Sequence, residues 1–418
     1  MPSEARSCGP RLESASLRRA VSARAYRDGM RLLHTSDWHL GRSLHRSDLR
    51  AAQASYLDHL VDVARSESVD AVLVAGDVYD RAVPPVDAVE LCETALVRLR
   101  ETGARVVLIS GNHDSARRLG FGSRLVDAAG VHLRTRPDDV ATPVLLADRH
   151  GEVAVYGIPY LEPEAVRAQL PADPTDPGAE VARGHVGVLG RGLACARADA
   201  RARGARRTVV LAHAWVTGGV ASDSERDVTV GGVGSVPATL FDGFTYSALG
   251  HLHGPQVLAE GLRYSGSPLA YSFSEADHVK GSWLVDLDEH GLREVEHVPA
   301  PVPRRLSTVR GTLDELLTSR AFTAQERHWL TVVYTDALRP DDAMARLSVR
   351  FPHVLVLRHE PDGVLADGRS YQARTAGRDD LEVAAAFVEH VRRTPLEPGE
   401  HDLLQRAFEA GRLAAAGA

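Results

Sequence analysis

Five short apolar runs each end in a polar cluster. Arg31–Ser36 leads into Asp37, Ala71–Gly76 into Asp77, Arg105–Ser110 into GNHD, Thr208–Ala212 into His213, and Phe244–Gly250 into His251-Leu252-His253. Runs this short, mostly apolar and bounded by Gly or turn residues, read as strands buried on both faces. Helical patterns separate the first three. Leu49–Ser66 carries Leu57, Leu60, Val61 and Ala64, and Val86–Arg100, opened by Pro84-Pro85, carries Leu91, Ala95, Leu96 and Leu99. The early order is therefore strand–helix–strand–helix–strand. Further on, VAVYGIPY, QVLAEGLRYSGS, SWLVDLD and LREVEHVPA are strand-rich. The pattern implies a layered α/β domain with a mixed sheet or two packed sheets.

With 418 residues, the chain has room for more than one domain. A Pro-rich stretch, PAPVPRR at Pro299–Arg305, reads as a linker. Beyond it the pattern is strand (Leu306–Arg310), helix (Thr312–Arg320), strand (Trp329–Thr335), helix (Asp341–Arg350), strand (His353–His359), a small α+β module. Two amphipathic helices follow at Asp379–Arg393 and Glu400–Leu413. Leu381, Ala384, Phe387, Val388 and Val391 share one face of the first, and Leu404, Ala407 and Phe408 one face of the second. Glu162–Arg183 reads as a loop or lid and Gly184–Arg203 as a helix. Residues 1–29 are rich in Arg, Ser and Ala and lack a secretory apolar core, so they read as a disordered tail or as a start assigned upstream of Met30. The divisions expected are 1–29, 30–300, 304–375 and 379–418.

Composition removes several classes of function. Hydrophobic content of 44% with 25% charged residues is a soluble globular balance, and no apolar run is long enough to span a membrane. A net charge of -7 argues against holding nucleic acid by bulk charge alone. Cys8, Cys92 and Cys195 stand far apart, which fits a reducing cytosol and excludes a disulfide scaffold. Nearly every basic residue is Arg; Lys280 is the single lysine, a bias that reads as genome composition.

The chemistry sits where the strands end. In an extended chain Asp37 and His39, two positions apart, point to one face. In an open α/β sheet, ligands bind at the carboxyl ends of the strands. Asp37, His39, Asp77, Asn112, His213, His251 and His253 could then meet although spread over two hundred positions. Carboxylate, imidazole and amide oxygen form a mixed O/N set that suits Mn, Fe, Zn and related ions. Seven groups exceed the four of one tetrahedral zinc. Two ions sharing a bridging carboxylate would use them, in the clamp that hydrolyses phosphoesters with metals ~3.5–4 Å apart. His113, beside Asn112, is placed to face the phosphate, and Asp114 to orient it. GHLH or GDVYD alone is weak; the five in this order are strong.

Together D-x-H, GDxxD, GNHD, a later lone His and GHxH resemble the calcineurin-like metallophosphoesterases. LLHTSDWHLGR, GDVYDRAVPP, GNHDS, SERDVTVGGV, ALGHLH and YSGSPLAYSFSE look, within that family, like bacterial nuclease subunits similar to double-strand-break repair nucleases. The likeness is close from Met30 to about Val298. It implies a four-layer αββα sandwich as the nuclease domain at 30–300, a small capping domain at 304–375, and helices at 379–418 that dock on the coiled-coil base of an ABC-type ATPase subunit. It implies that Asp37, His39 and His253 hold one manganese, that Asn112, His213 and His251 hold the other, that Asp77 bridges them, and that His113 is the catalytic histidine. The implied activity is 3'-5' double-strand exonuclease and single-strand or hairpin endonuclease, acting on DNA ends and hairpins in repair, replication and recombination. The implied assembly is a homodimer within a heterotetramer, cytoplasmic and nucleoid-associated. The helix with Gln53, Tyr56, Leu57 and Leu60 is one place for the homodimer contact. Arg42, His45, Arg46, Arg117 and Arg118 are candidate phosphate contacts. Two alternatives stand beside this reading: a small-molecule phosphodiesterase or phosphatase with the same site, and a non-catalytic subunit that only presents DNA. Protein phosphatases of the family usually carry GNHE where this chain has GNHD, and the intact ligand set with His113 argues for catalysis.

Overall fold

The computed structural model describes residues 29–225, 234–362, 378–392 and 395–416. The tail expected at 1–29 falls almost wholly outside these residues. So do most of SERDVTVGGV and the last part of the expected capping domain. The chain divides after Pro303, within the Pro-rich stretch.

In the first unit the apolar runs become strands: β1 (Met30–Thr35), β2 (Ala71–Ala75), β3 (Arg105–Ile109), β4 (Val131–Arg134), β5 (Val144–Asp148), β6 (Gly151–Ile158), β7 (Arg207–His213), β8 (Tyr246–Gly250), β9 (Gln256–Ala259), β10 (Leu262–Tyr264), β11 (Gly281–Leu287) and β12 (Leu292–Pro299). They form two six-stranded sheets, ordered β12-β11-β1-β2-β3-β4 and β9-β10-β8-β7-β6-β5. β1 to β4 are parallel neighbours, and β11 runs antiparallel beside β1, with Met30 opposite Leu287 and His34 opposite Trp283. In the second sheet β6, β7, β8 and β10 are parallel, with antiparallel strands at each edge. Every motif-bearing strand therefore ends on the same side of its sheet.

Period-two alternation sorts each strand between two cores. Leu32, Leu73, Val107 and Ile109 of the first sheet meet Val153, Val155, Val209, Leu211 and Tyr246 of the second. Their neighbours Leu33, Val72, Val74 and Leu108 face outward against helices α1 (Arg50–Ser66) and α2 (Val86–Glu101). On the other outer face Tyr156, Val210 and Ala212 meet helix α3 (Gly184–Arg203) through Val188, Leu193 and Ala196. The result is helix, sheet, sheet, helix: the αββα layering. Each fully buried Leu, Ile or Val adds roughly 1.5–3 kcal/mol.

Three expectations change. Gln53, Tyr56, Leu57 and Leu60 are buried, between 0% and 2% exposed, because that stripe of α1 packs on the first sheet; it is not available to a second copy. β4 and β5, the outermost strands at one edge of each sheet, were not anticipated; VHLR is short and half polar. Within Glu162–Arg183, Pro163–Val166 forms a helical turn.

The second unit opens with three parallel strands, β13 (Leu306–Gly311), β14 (Trp329–Tyr334) and β15 (Val354–His359). Helices α4 (Leu313–Thr318) and α5 (Ala343–Arg350) connect them. Thr312 and Glu315 close a reciprocal capping box at the start of α4. Leu316, Leu330, Val332, Tyr334, Leu347 and Phe351 fill the core. Helices α6 (Asp380–Arg392) and α7 (Pro398–Ala416) pack on one another and leave Phe387, Val391 and Leu403 largely exposed. No helix among the described residues is long and apolar enough to cross a membrane.

Candidate metal centre

β1 stops at Thr35, so Asp37 and His39 do not converge by strand alternation. Both adopt positive φ, 52° and 44°, as do Asp77 (49°) and His251 (106°). Non-glycine residues rarely take this conformation, and it concentrates where a site dictates side-chain direction. The loops after β1 and β2 zip together instead. The amides of Asp37, His39 and Leu40 donate to the carbonyls of Gly76, Asp77 and Val78 at 2.9–3.0 Å. The glycines of GDVYD and GNHD allow the approach. A Cβ on Gly76, itself at φ 92°, would lie 2.5 Å from His213 Nδ1, and one on Gly111 would lie 2.1 Å from an Asp77 oxygen.

All seven expected ligands meet. On one side, Asp37, His39 and His253 each offer an atom within 4.8 Å of the other two. The Nε2 atoms of His39 and His253 face each other at 3.1 Å. On the other side, Asn112 Oδ1 lies 2.9 Å from His213 Nε2 and 3.1 Å from His251 Nδ1. Asp77 sits between: its Oδ2 is 3.6 Å from His39 Nε2 and 3.5 Å from His213 Nε2. One carboxylate is thus within reach of both sides.

His113 borders the first side, its ring 4.7 Å from that of His39. Its backbone amide donates to Asp77 Oδ1 at 2.8 Å, and its Nδ1 meets the carbonyl of Asp80 at 2.8 Å. Asp114, expected to orient His113, sits between the motif loops. Its carboxylate accepts the amides of Val78, Tyr79 and Gly111, tying the two motif loops together, while the Asp80 carbonyl fixes the His113 ring. A main-chain carbonyl has no side-chain signature, so the sequence could not reveal it.

A second group escaped the sequence reading. His253 Nδ1 lies 2.5 Å from Ser224 Oγ and 3.4 Å from Glu275 Oε1, and its amide donates to Glu225. Glu275 is fully buried and pairs with Lys280. Arg42, a candidate phosphate contact, stacks over Tyr271 at 4.9 Å and donates to the Ser224 carbonyl. Arg46, Arg117 and Arg118 are exposed.

The electrostatics suit a cation. Burial works to keep His39 and His251 neutral, His251 down at about 3, which is the form a metal ligand needs. Burial pushes Asp37 up to about 6. Asp77 is held well below the carboxylate range: burial opposes this, but His213 outweighs it, and the same pairing lifts His213 to about 9 against its own burial. Two enclosed carboxylates thus draw positive charge onto an imidazole that a divalent ion would supply directly. His39 Nδ1 and Asn112 Nδ2 are buried without a hydrogen-bond partner, which leaves this polar pocket short of satisfied contacts. The residues fit two divalent ions.

A family model agrees with the chemistry. Residues 30–255 match the family described as calcineurin-like phosphoesterase. Residues 302–392 match the SbcD C-terminal family, described as type 5 capsule protein repressor C-terminal domain. A crystal structure of a dimetal phosphatase from Danio rerio is similar at a TM-score of 0.36 and 14% identity, over 66% of this chain and 100% of that one.

Proposed function

This chain belongs to the calcineurin-like phosphoesterase family and is of SbcD type, and on that premise we propose that it is a manganese-dependent DNA nuclease subunit. As a dinuclear-metal phosphodiesterase it needs two divalent ions; manganese is the finer reading, supported by the O/N ligand set. The observation that carries the proposal is the convergence of Asp37, His39 and His253 opposite Asn112, His213 and His251, with Asp77 between them.

In this reading bound divalent ions supply Lewis-acid polarisation of the phosphodiester and a nucleophile at neutral pH. The chain does the rest. Asp77 would hold both positions at once. With Nδ1 committed to the Asp80 carbonyl, His113 presents Nε2 to the phosphate, where a proton can neutralise developing charge or pass to the leaving oxygen. Asp37 is fixed by Ser36 and by the His251 amide, so it does not reorganise during the reaction. Arg42, His45, Arg46, Arg117 and Arg118 would touch flanking phosphates.

The substrates proposed are double-stranded DNA ends and hairpins, cut exonucleolytically 3'-5' or endonucleolytically, in the nucleoid. The partner proposed is an SbcC-type ABC ATPase, for which the exposed apolar residues of α6 and α7 offer a docking face. A homodimer is also part of the reading. In place of α1, the supporting surface is the outer edge of α2 with the following turns: Val86, Val97, Phe121 and Leu125 are 52–88% exposed, and Val97 and Phe121 line an apolar cleft of about 970 Å³.

The test is Mn-dependent cleavage of an end-labelled DNA hairpin by wild type and His113→Gln, with and without the ATPase. Cleavage that needs Mn, disappears in the variant and responds to partner plus ATP supports the reading. Hydrolysis of bis-p-nitrophenyl phosphate with intact DNA would move the substrate to a small phosphodiester.

A further inference from the structure

None of the seven expected ligands belongs to SERDVTVGGV or YSGSPLAYSFSE, yet Ser224 and Glu225 of the first and Glu275 of the second all reach His253. Ser224 Oγ lies between His253 Nδ1 and Glu275 Oε1, donating to the carboxylate, so Nδ1 carries the hydrogen and Nε2 keeps its lone pair toward His39. Ser222 adds a second hydroxyl to Glu275 Oε1 at 3.1 Å. The other oxygen, Oε2, takes Lys280 Nζ at 2.5 Å and the Tyr271 amide at 3.3 Å.

Lys280 is informative because it is the single lysine among 49 basic residues. Composition explains the arginines; it does not explain the exception. An ammonium carries three N–H donors in a compact cone and a guanidinium carries five in a flat fork. Lys280 is 4% exposed and meets three acceptors: Glu275 Oε2, Ser267 Oγ at 2.9 Å, and the carbonyl of His253 itself at 2.7 Å. The pair thus grips His253 twice, at its ring through Glu275 and at its backbone through Lys280. A flat fork of five donors does not match three acceptors gathered around one nitrogen.

We propose that Glu275 and Lys280 are positioning residues that set the direction and tautomer of His253, and so the affinity of one of the two metal positions. The inference rests on the dinuclear reading. The competing explanation is a buried ion pair that serves the fold alone. The two differ once both charges are removed together, since neutralising a whole buried pair leaves no stranded charge.

The full chain is titrated with Mn2+, following bound ion by calorimetry and free ion by electron paramagnetic resonance. Wild type should take up two ions. Glu275→Gln should weaken one of them by roughly 10–100-fold, the size usual for loss of a carboxylate behind a ligating histidine, and leave the other unchanged. Lys280→Arg should do the same although it keeps the charge. Glu275→Gln with Lys280→Met should melt near wild type while one ion stays weak. With bis-p-nitrophenyl phosphate, the Mn concentration for half activity should rise and the KM for the diester should not. A double variant that binds both ions as wild type does, or that fails to fold, shows that the pair serves the fold alone and overturns the proposal. Uptake of fewer than two ions by wild type removes the dinuclear reading first.

Discussion

The two halves of the centre are built differently. Asn112, His213 and His251 lean on main chain and on each other: His213 Nδ1 lies 2.9 Å from the Ala75 carbonyl, and His213 and His251 share the oxygen of Asn112. In the half with Asp37, His39 and His253, side chains carry more of the support: Ser36, itself bonded to Ser265, holds Asp37 alongside the His251 amide, and Ser224, Glu225, Glu275 and Lys280 stand behind His253. The first half is fixed by strand register, since β7 and β8 are paired with His213 opposite Gly250. The second is fixed by a polar network that must be satisfied throughout to hold its shape. One half is as rigid as the sheet; the other is as good as its hydrogen bonds.

The largest test strikes both halves together. Asp77→Asn removes the shared carboxylate, and hydrolysis of bis-p-nitrophenyl phosphate should fall at least ~10³-fold, with fewer than two ions retained in a Mn titration. An Asp77→Asn protein that keeps both ions would break the bridge assignment. Next comes His113→Gln, which should lower kcat by roughly 10²–10⁴-fold while KM and metal uptake hold. Loss of metal in that variant would move His113 into the ligand set with its neighbours His39 and Asp77.

Smaller effects separate the halves. Gly76→Ala forces a Cβ into a positive-φ position against His213 Nδ1, so it should cost about 1–3 kcal/mol in chemical denaturation and weaken only the main-chain-built half. Wild-type Mn uptake in a destabilised Gly76→Ala protein would mean that half tolerates distortion. His34 lies beneath the same half, its ring nitrogens near Tyr246 Oη and the Leu249 carbonyl. Burial lowers its pKa from 6.5 to about 3. Between those values the unfolded chain binds the proton and the folded one does not, so stability falls as pH drops through that window. At pH 5 the loss from this one ring is about 2 kcal/mol, and His34→Gln should flatten the pH 7 to pH 5 difference in unfolding free energy by that amount. The smallest effect on chemistry is expected from Phe121→Glu with Leu125→Glu, which should halve the mass in sedimentation and leave diester hydrolysis unchanged.

Where the sequence was readable and where it was not follows the same division. Strands ending in His213 and in His251-Leu252-His253 could be recognised because apolar runs and polar stops are local signals. The boundaries of α1, α2 and α3 fell within a residue or two for the same reason. Asp37 and His39 were rightly brought together for the wrong cause, since a left-handed backbone and not strand alternation turns them inward. The supports of His253 were hidden because a contact between Glu275 and Ser224 spans fifty-one positions and leaves no periodic trace. Lys280 did leave one, as a lone lysine, but composition offered an easier explanation.

One arrangement has a consequence in time. β11 completes the first sheet by lying against β1, and it is separated from β1 by the entire second sheet in the order of synthesis. A growing chain that has just emitted His253 already owns all seven candidate ligands. It lacks Glu275, Lys280 and the strand that covers the open edge of β1, and contacts of such long span form late. The ribosome therefore releases the candidate ligands of a phosphoesterase centre well before the chain can hold them in place, and a product truncated between residues 253 and 281 would be a sink for metal with no defined centre.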